Sequence, residues 1–217
     1  MNLQTLKPGP TFTEERKLQA AGCRFVAGVD EAGRGCLAGP VVASAVILSL
    51  NAHPPWLLQV RDSKLLTVAK RKYLFSHIAE TAVAVGTGIV NNSVIDSIGI
   101  AAASRLAMAK AVAGLNPSAD GLLTDHFHLP EVALPQKNIT HGDVLCNSIA
   151  CASIIAKVIR DGIMLELDDR YPGYGLSRHK GYGTREHRNA IETMGLSPLH
   201  RRSFCHFQYR LRQAENE

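Results

Sequence analysis

No stretch of this sequence is long and apolar enough to span a bilayer. The longest run, Val41 to Leu50, is interrupted by Ser44 and Ser49 and stops well short of the roughly 18 to 20 residues a span requires. A secretory signal is also missing, since no charged start leads into an apolar stretch and a small-residue cleavage site. The five cysteines, Cys23, Cys36, Cys146, Cys151 and Cys205, are an odd number, so reduced thiols in a cytoplasm are expected in place of a disulfide framework. Cys146 and Cys151 do not form the close pair of a zinc site, and the nine histidines contain no H-E-x-x-H arrangement, so zinc is not expected. Internal repeats and low-complexity segments are absent too. With 46% apolar and 20% charged residues, the chain lies far from the composition of disordered proteins.

What is present suits one globular domain: 217 residues, long enough to bury a core, with a possible boundary only near Tyr171. A net charge of +5 and a pI near 9.0 can attract a polyanion without demanding one. The patterning predicts a short helix over Thr13 to Ala21 and a strand over Arg24 to Asp30. A second strand over Val41 to Leu50 reads as buried on both faces and, after so short a turn, antiparallel to the first. A helix follows over Val68 to Thr81, then a strand over Ala82 to Val90. Asn91-Asn92-Ser93 is expected to cap one long helix from Val94 to Ala113, ended by Gly114 and Pro117. Short strands are expected at Gly121 to Asp125 and Lys137 to His141, and helices at Ser148 to Asp169 and Arg185 to Met194. Tyr171 to Thr184, rich in glycine and basic residues, reads as an exposed binding loop. Strands followed by alternating strands and helices give an α/β class, with a mixed sheet flanked by helices.

Acids end three separated apolar runs: Asp30-Glu31, Asp125 and Asp143. Carried to one sheet edge, four carboxylates repel one another, and hard divalent cations with oxygen ligands, Mg²⁺ or Mn²⁺, neutralise them most readily. A pair of such ions can activate water, hold a phosphate and stabilise a leaving oxygen. Because neighbouring strand residues point to opposite faces, Asp30 and Glu31 are not expected to be ordinary strand positions together, and Gly33 and Gly35 supply the freedom for a break.

Gly28-Val-Asp-Glu-Ala-Gly-Arg-Gly35, followed by Leu37-Ala-Gly-Pro-Val-Val42, resembles the opening signature of ribonuclease HII. Asp62-Ser-Lys64, Gly142-Asp143, Ser153-Ile-Ile-Ala-Lys-Val158, Arg160-Asp161, His179-Lys-Gly-Tyr-Gly-Thr184 and His200-Arg-Arg-Ser-Phe204 occur in that family's order, so the resemblance extends over about residues 23 to 207. It implies an RNase H-like fold in which 1–217 form one catalytic domain, with 171–217 as a helical, substrate-binding C-terminal extension. It also implies an endonuclease that cuts the RNA strand of RNA–DNA hybrids and the 5′ side of single ribonucleotides in duplex DNA. The expected products carry 3′-hydroxyl and 5′-phosphate ends, with Mg²⁺ or Mn²⁺ required for two-metal-ion hydrolysis.

Carried over residue by residue, the metal-binding and catalytic acids fall on Asp30, Glu31, Asp125 and Asp143. Gly33, Arg34 and Gly35 match the loop that senses the 2′-hydroxyl, and Tyr182 the ring against the following deoxyribose. Lys64, Lys157, Arg160 and Lys180 are expected to hold phosphates, and Asp161 to be structural, pairing with an arginine. His126 stands where the family commonly has glycine and His141 where it commonly has lysine, changes expected to affect rate and metal preference more than reaction class.

Alternatives are a non-catalytic nucleic-acid-binding module, a DNA-junction nuclease of the same fold, and ribonuclease HIII. The last usually shows Gly-Thr-Gly and an extra N-terminal domain, whereas here only about twenty residues precede the first strand. The expected setting is a cytoplasmic monomer that excises misincorporated ribonucleotides or helps remove primers. A replication clamp is left open as a partner, because the tail Leu211 to Glu217 is short and polar.

Overall fold

A computed structural model describes residues 9–205, so the tail Leu211 to Glu217 lies outside the described residues. A single five-stranded sheet organises them, in the order β3-β2-β1-β4-β5. Strands β1 (Val26–Ala32), β2 (Val41–Ile47) and β3 (Ala84–Val90) form an antiparallel meander, while β4 (Gly121–Asp125) and β5 (Gln136–Ile139) continue from β1 in parallel. Every residue of β2 is buried, as a two-faced strand of Val, Ile and Ala requires.

Helices α1 (Thr13–Ala20), α2 (Val68–Thr81), α3 (Asn92–Ile98) and α4 (Ile100–Ala113) precede α5 (Gly142–Leu145), α6 (Asn147–Arg170), α7 (Leu176–His179) and α8 (Arg185–Met194). The two faces of the sheet are covered by α4 and α6. A side chain at Gly28 would overlap the backbone of Ser148, so the missing Cβ lets the start of α6 lie directly on β1. That contact sets α6 beside the acids that follow Gly28. Glu15, fully buried on α1, accepts from both the N–H (2.9 Å) and the hydroxyl (2.7 Å) of Ser148 and ties down the same helix start.

Three expectations are corrected. The long helix is two, α3 and α4, separated at Gly99 with φ +78°. The break lets α3 dock on the C-terminal segment: Asp96 accepts from the N–H groups of Arg202 (2.9 Å) and Ser203 (3.0 Å), and Asn92 donates to Pro198 (2.8 Å). The expected cap holds, with Asn91 accepting from Val94 N–H at 3.1 Å. Secondly, Asp30 and Glu31 are both ordinary ladder positions, opposite Ser44 and Ala43, and β1 runs on to Ala32. Antiparallel pairing with β2 outlasts the parallel pairing with β4, which ends at Val29 and Thr124, so the chain turns at Gly33 and not between the acids. Thirdly, α7 interrupts the stretch expected to be loop throughout.

After α6 the chain folds back over residues 34–40. Cys36 pairs with Tyr182 and Ala38 with His200 in antiparallel bridges, Leu37 N–H donates to Gly181 (2.8 Å), and Arg201 N–H donates to Leu37 (2.7 Å). Two fully buried arginines lie beneath this contact. Arg160, expected to hold a phosphate, is instead turned inward and donates to the carbonyls of Pro40 (3.0 Å), Lys180 (2.9 Å) and Ala38 (3.2 Å). Arg201 donates to Gly39 twice (3.0 and 2.9 Å) and to Arg34 (2.8 Å). Guanidinium forks suit such a set of fixed acceptors, since a buried charge is tolerated only when its donors are used. Replacing Arg160 by Met leaves those three carbonyls without their donor, at about 1 to 3 kcal/mol for each buried group. Chemical denaturation should therefore show a loss of at least about 3 kcal/mol, and a loss under about 1 kcal/mol contradicts the clamp.

Candidate active site at the sheet edge

The sheet register gathers the acids. Asp30 follows Val29, whose parallel partner Thr124 precedes Asp125, so β1 and β4 deliver Asp30 and Asp125 side by side. Asp125 in turn accepts the N–H of Gly142 at 2.8 Å, which draws the first turn of α5, and with it Asp143, to the same edge. Asp143 is therefore a helical residue brought in by a side-chain bond. His141, with φ +59°, makes the sharp entry into α5.

Electrostatics follows from this crowding. Burial first, then the charges of Glu31 and Asp125, hold the Asp30 carboxyl well above the usual carboxylate range. Glu31 is pushed up to about 7, chiefly by burial and by Asp125, with Arg34 (3.8 Å) and Lys64 opposing. Asp143 is raised by burial and by Asp62 and Asp125. Lys64 extends from the loop before α2 to 4.0 Å from Asp143; burial opposes its charge, but Asp62, Asp143, Asp30 and Asp125 hold it above the ordinary lysine value. The mutual influence of these groups places all four sequence-predicted acids and Lys64 in one electrostatic unit.

Among the described residues, no three acid, histidine or cysteine side chains close around a single point as a ready-made cage. The donor set nevertheless fits a hard cation. All four acids offer oxygen, and Glu31 Oε2 is buried with no hydrogen-bond partner. Mg²⁺ keeps several waters and needs only one or two carboxylates, so an open arrangement is compatible with it.

The remaining predicted residues divide into three groups. Gly33 (φ +96°) must lack a side chain, because a Cβ there would strike Arg160, whereas a Cβ at Gly35 would meet nothing within 4 Å. Arg34 lies 4.6 Å over the Phe127 ring and accepts from Arg201 through its carbonyl. These three form the loop clamped from behind by the buried arginines. Tyr182, with 41% of its surface exposed, stands across from Cys36, and Lys157 lies 5.7 Å over its ring. Lys157 also pairs with Asp161 at 2.7 Å. Lys180 bonds the carbonyl of Ser177, so its ammonium is turned into its own turn. Asp161 stands 3.8 Å from Arg71, in line with the expected arginine partner.

Several contributors were not singled out from sequence. Ser153, on α6, donates to Asp30 and touches Ser63 at 3.0 Å, and Asp62 adds charge beside Asp143 and Lys64. Their motifs were visible, but which acid each serves depends on how α6 crosses β1. His126 has φ +63°, which explains why glycine suits that position, and its ring lies edge-on to Phe127 at 5.4 Å.

Asp125 is the shared neighbour, so its charge is the test of this electrostatic unit. Asp125→Asn keeps an oxygen for Gly142 but removes the charge that raises Glu31 and Asp30. At pH 8 the metal-free variant should melt about 2 to 4 °C higher than the wild type, corresponding to about 1 kcal/mol in a chain of this size. A lower melting temperature contradicts the crowding.

Comparison with known proteins bears on the same residues. Residues 27–207 match the family model described as Ribonuclease HII. The chain is 55% identical over 196 residues to a ribonuclease HII of Dehalococcoides mccartyi, covering 90% of this chain and 93% of that one. In fold it resembles ribonuclease H2 from Pyrococcus horikoshii OT3 (TM-score 0.70, 23% identity, 89% of this chain and all of that one). It also resembles Bst-RNase HIII in complex with Mn²⁺ (TM-score 0.62, 19% identity, 89% and 71%). By a match that runs from β1 to the C-terminal segment, the chain belongs to the ribonuclease HII family and is a ribonuclease H hydrolase.

Proposed function

We propose that this enzyme cuts the RNA strand of RNA–DNA hybrids and the 5′ side of single ribonucleotides embedded in duplex DNA, leaving 3′-hydroxyl and 5′-phosphate ends. The observation that carries this reading is the position of the Gly33-Arg34-Gly35 loop. It follows directly from the strand that holds Asp30 and Glu31, Arg201 bonds the carbonyl of Arg34, and Arg160 packs against Gly33. A 2′-hydroxyl both donates and accepts, and it is the group that separates RNA from DNA. Backbone groups at glycines can approach it without a Cβ in the way.

Asp30, Glu31, Asp125 and Asp143 would hold Mg²⁺ or Mn²⁺, a reading supported by the oxygen-only donor set, the unpartnered Glu31 Oε2 and the Mn²⁺ of Bst-RNase HIII on the same fold. When bound, a pair of such ions supplies activation of water and stabilisation of the leaving oxygen. The protein's own part is to orient and discriminate. Ser153 fixes the Asp30 carboxyl, Gly142 N–H fixes Asp125, and Lys64 offers a positive charge to a phosphate at the rim. Tyr182 offers a partly exposed flat ring to the deoxyribose after the cut, where an added hydroxyl would crowd it. Lys157 lies beneath that ring and is suited to an adjacent phosphate. Lys180, turned toward Ser177, would have to swing out to do the same. On this reading, residues 171–205, the described part of the expected C-terminal extension, contribute to substrate binding, and the enzyme works in the cytoplasm.

The test is a duplex with one embedded ribonucleotide beside all-DNA and branched-DNA controls. Wild type should nick only the first, with Mg²⁺ or Mn²⁺ present. Asp30→Asn should lower the rate by at least about a hundredfold while the protein still folds. Full activity in that variant, or equal cutting of all-DNA duplex, defeats the reading.

Protonation gives an independent check. Glu31 near 7 and the raised Asp30 and Asp143 must lose protons before they ligate. Divalent-ion affinity should therefore rise as pH increases through about 7, and calorimetry in buffers of different ionisation heat should detect proton release. Affinity independent of pH between 6 and 8 counts against these ligands.

A further inference from the structure

Three histidines outside the acid cluster, His179, His187 and His200, are buried together beneath Tyr182. The rings of His179 and His187 stack 4.3 Å apart at 19°, and the Nε2 atoms of His187 and His200 are 3.0 Å apart. Their tautomers follow from partners that can play only one role. The carbonyls of Tyr174 and Tyr182 only accept, so His179 Nε2 (2.8 Å) and His187 Nδ1 (3.0 Å) carry hydrogens. The N–H of Gly181 only donates, so His179 Nδ1 (3.2 Å) is bare, and His200 Nδ1 faces both the N–H (2.9 Å) and the hydroxyl (2.8 Å) of Ser197, its own state being set by His187.

His200 then carries its hydrogen on Nε2 and donates to the bare Nε2 of His187. A directed chain results: Ser197 N–H to His200, His200 to His187, and His187 to the carbonyl of Tyr182. A second proton on either ring would set two N–H groups against each other. Burial, with His187 alongside, lowers His200 to about 4, and burial lowers His187 as well, so both rings are neutral at pH 7. Glu186 is the carboxylate that acts against this at His187, and it is itself paired with Arg178; His179 acts with burial on both rings.

This chain ends on the residue whose position matters. Tyr182 N–H donates to the His179 carbonyl (3.0 Å), and Tyr182 C=O accepts from Thr184 N–H (2.8 Å) as well as from His187. With its ring partly exposed, Tyr182 takes its placement from its backbone. The other end of the chain, His200, pairs with Ala38, four residues past the loop centre at Arg34. We propose that the His200–His187 relay is a positioning device that sets Tyr182 against the Gly33-Arg34-Gly35 loop and so sets the preference for an RNA–DNA junction. The proposal rests on the reading of Tyr182 as the deoxyribose contact.

Two near-isosteric variants separate the bonds that His187 makes. In His187→Asn the amide nitrogen stands near the Nδ1 position and can still donate to Tyr182; in His187→Gln it lies beyond, toward His200. The readout is the ratio of kcat/KM on a single-ribonucleotide duplex to kcat/KM on a continuous hybrid. General damage to the fold moves both values together and leaves the ratio alone. His187→Asn cuts the link to His200 and His187→Gln the link to Tyr182, so both, like the reference variant Tyr182→Ala, should lower the ratio by about tenfold.

If Tyr182→Ala lowers the ratio and either His187 variant stays within about threefold of wild type, the relay is overturned while the cleavage reading stands. If Tyr182→Ala leaves the ratio unchanged, the deoxyribose contact fails and the relay with it. Should the variants not fold, nitrogen NMR of the wild-type imidazoles decides. It should show hydrogen on Nδ1 of His187 and on Nε2 of His200 at pH 7, and the opposite tautomers overturn the proposal.

Discussion

Carboxylates that cannot all stay ionised in one another's company are the constraint around which this fold is arranged. Two of them occupy consecutive positions of β1, a third ends the parallel neighbour β4, and the fourth is drawn in on α5 by the bond from Gly142 to Asp125. Burial and mutual repulsion raise Asp30, Glu31 and Asp143, and Glu31 retains an oxygen with no partner. Such an edge is destabilised in isolation and gains most from cations. The sheet does not relax to avoid this crowding, because β1 is central, sealed by β2 on one side, β4 on the other and α6 across its face.

A complementary arrangement lies a few residues further along the chain. Buried positive charge from Arg160 and Arg201 is satisfied by carbonyls of residues 34–40 and 180, with no carboxylate among its hydrogen-bond partners in the described residues. Arginine serves here as a multi-pronged backbone clamp. It joins the loop after β1 to the segment after α6, so that Gly33 to Gly35 and Tyr182, distant in sequence, are held across one crevice. The histidine chain binds the same two segments by a second, uncharged route.

Much of this was legible in the residues. Apolar alternation and glycine breaks located the strands to within a few positions, and β2 read correctly as buried on both faces. Asp30, Glu31 and Asp125 stood out because they ended apolar runs, whereas Asp143 follows the polar stretch Gln136 to Gly142 and reaches the edge on α5. What remained hidden depended on long-range contacts. Gly99 lies in a sequence of good helix formers, and only the docking of Asp96 and Asn92 on residues 198–203 explains why the helix divides there. Strand alternation predicted a break between Asp30 and Glu31, but the end of a sheet offers both faces to one edge once β4 has dropped away. Arg160 and the histidines lay within recognised motifs, yet a guanidinium bonded only to carbonyls has no signature in spacing.

The most direct measurement is diffraction from crystals soaked in Mn²⁺, collected for its anomalous signal. Ion peaks bounded by Asp30, Glu31, Asp125 and Asp143 are predicted, with the Glu31 carboxylate turned so that Oε2 is a ligand. Manganese bound elsewhere, with these four side chains still apart and unligated, would contradict the account.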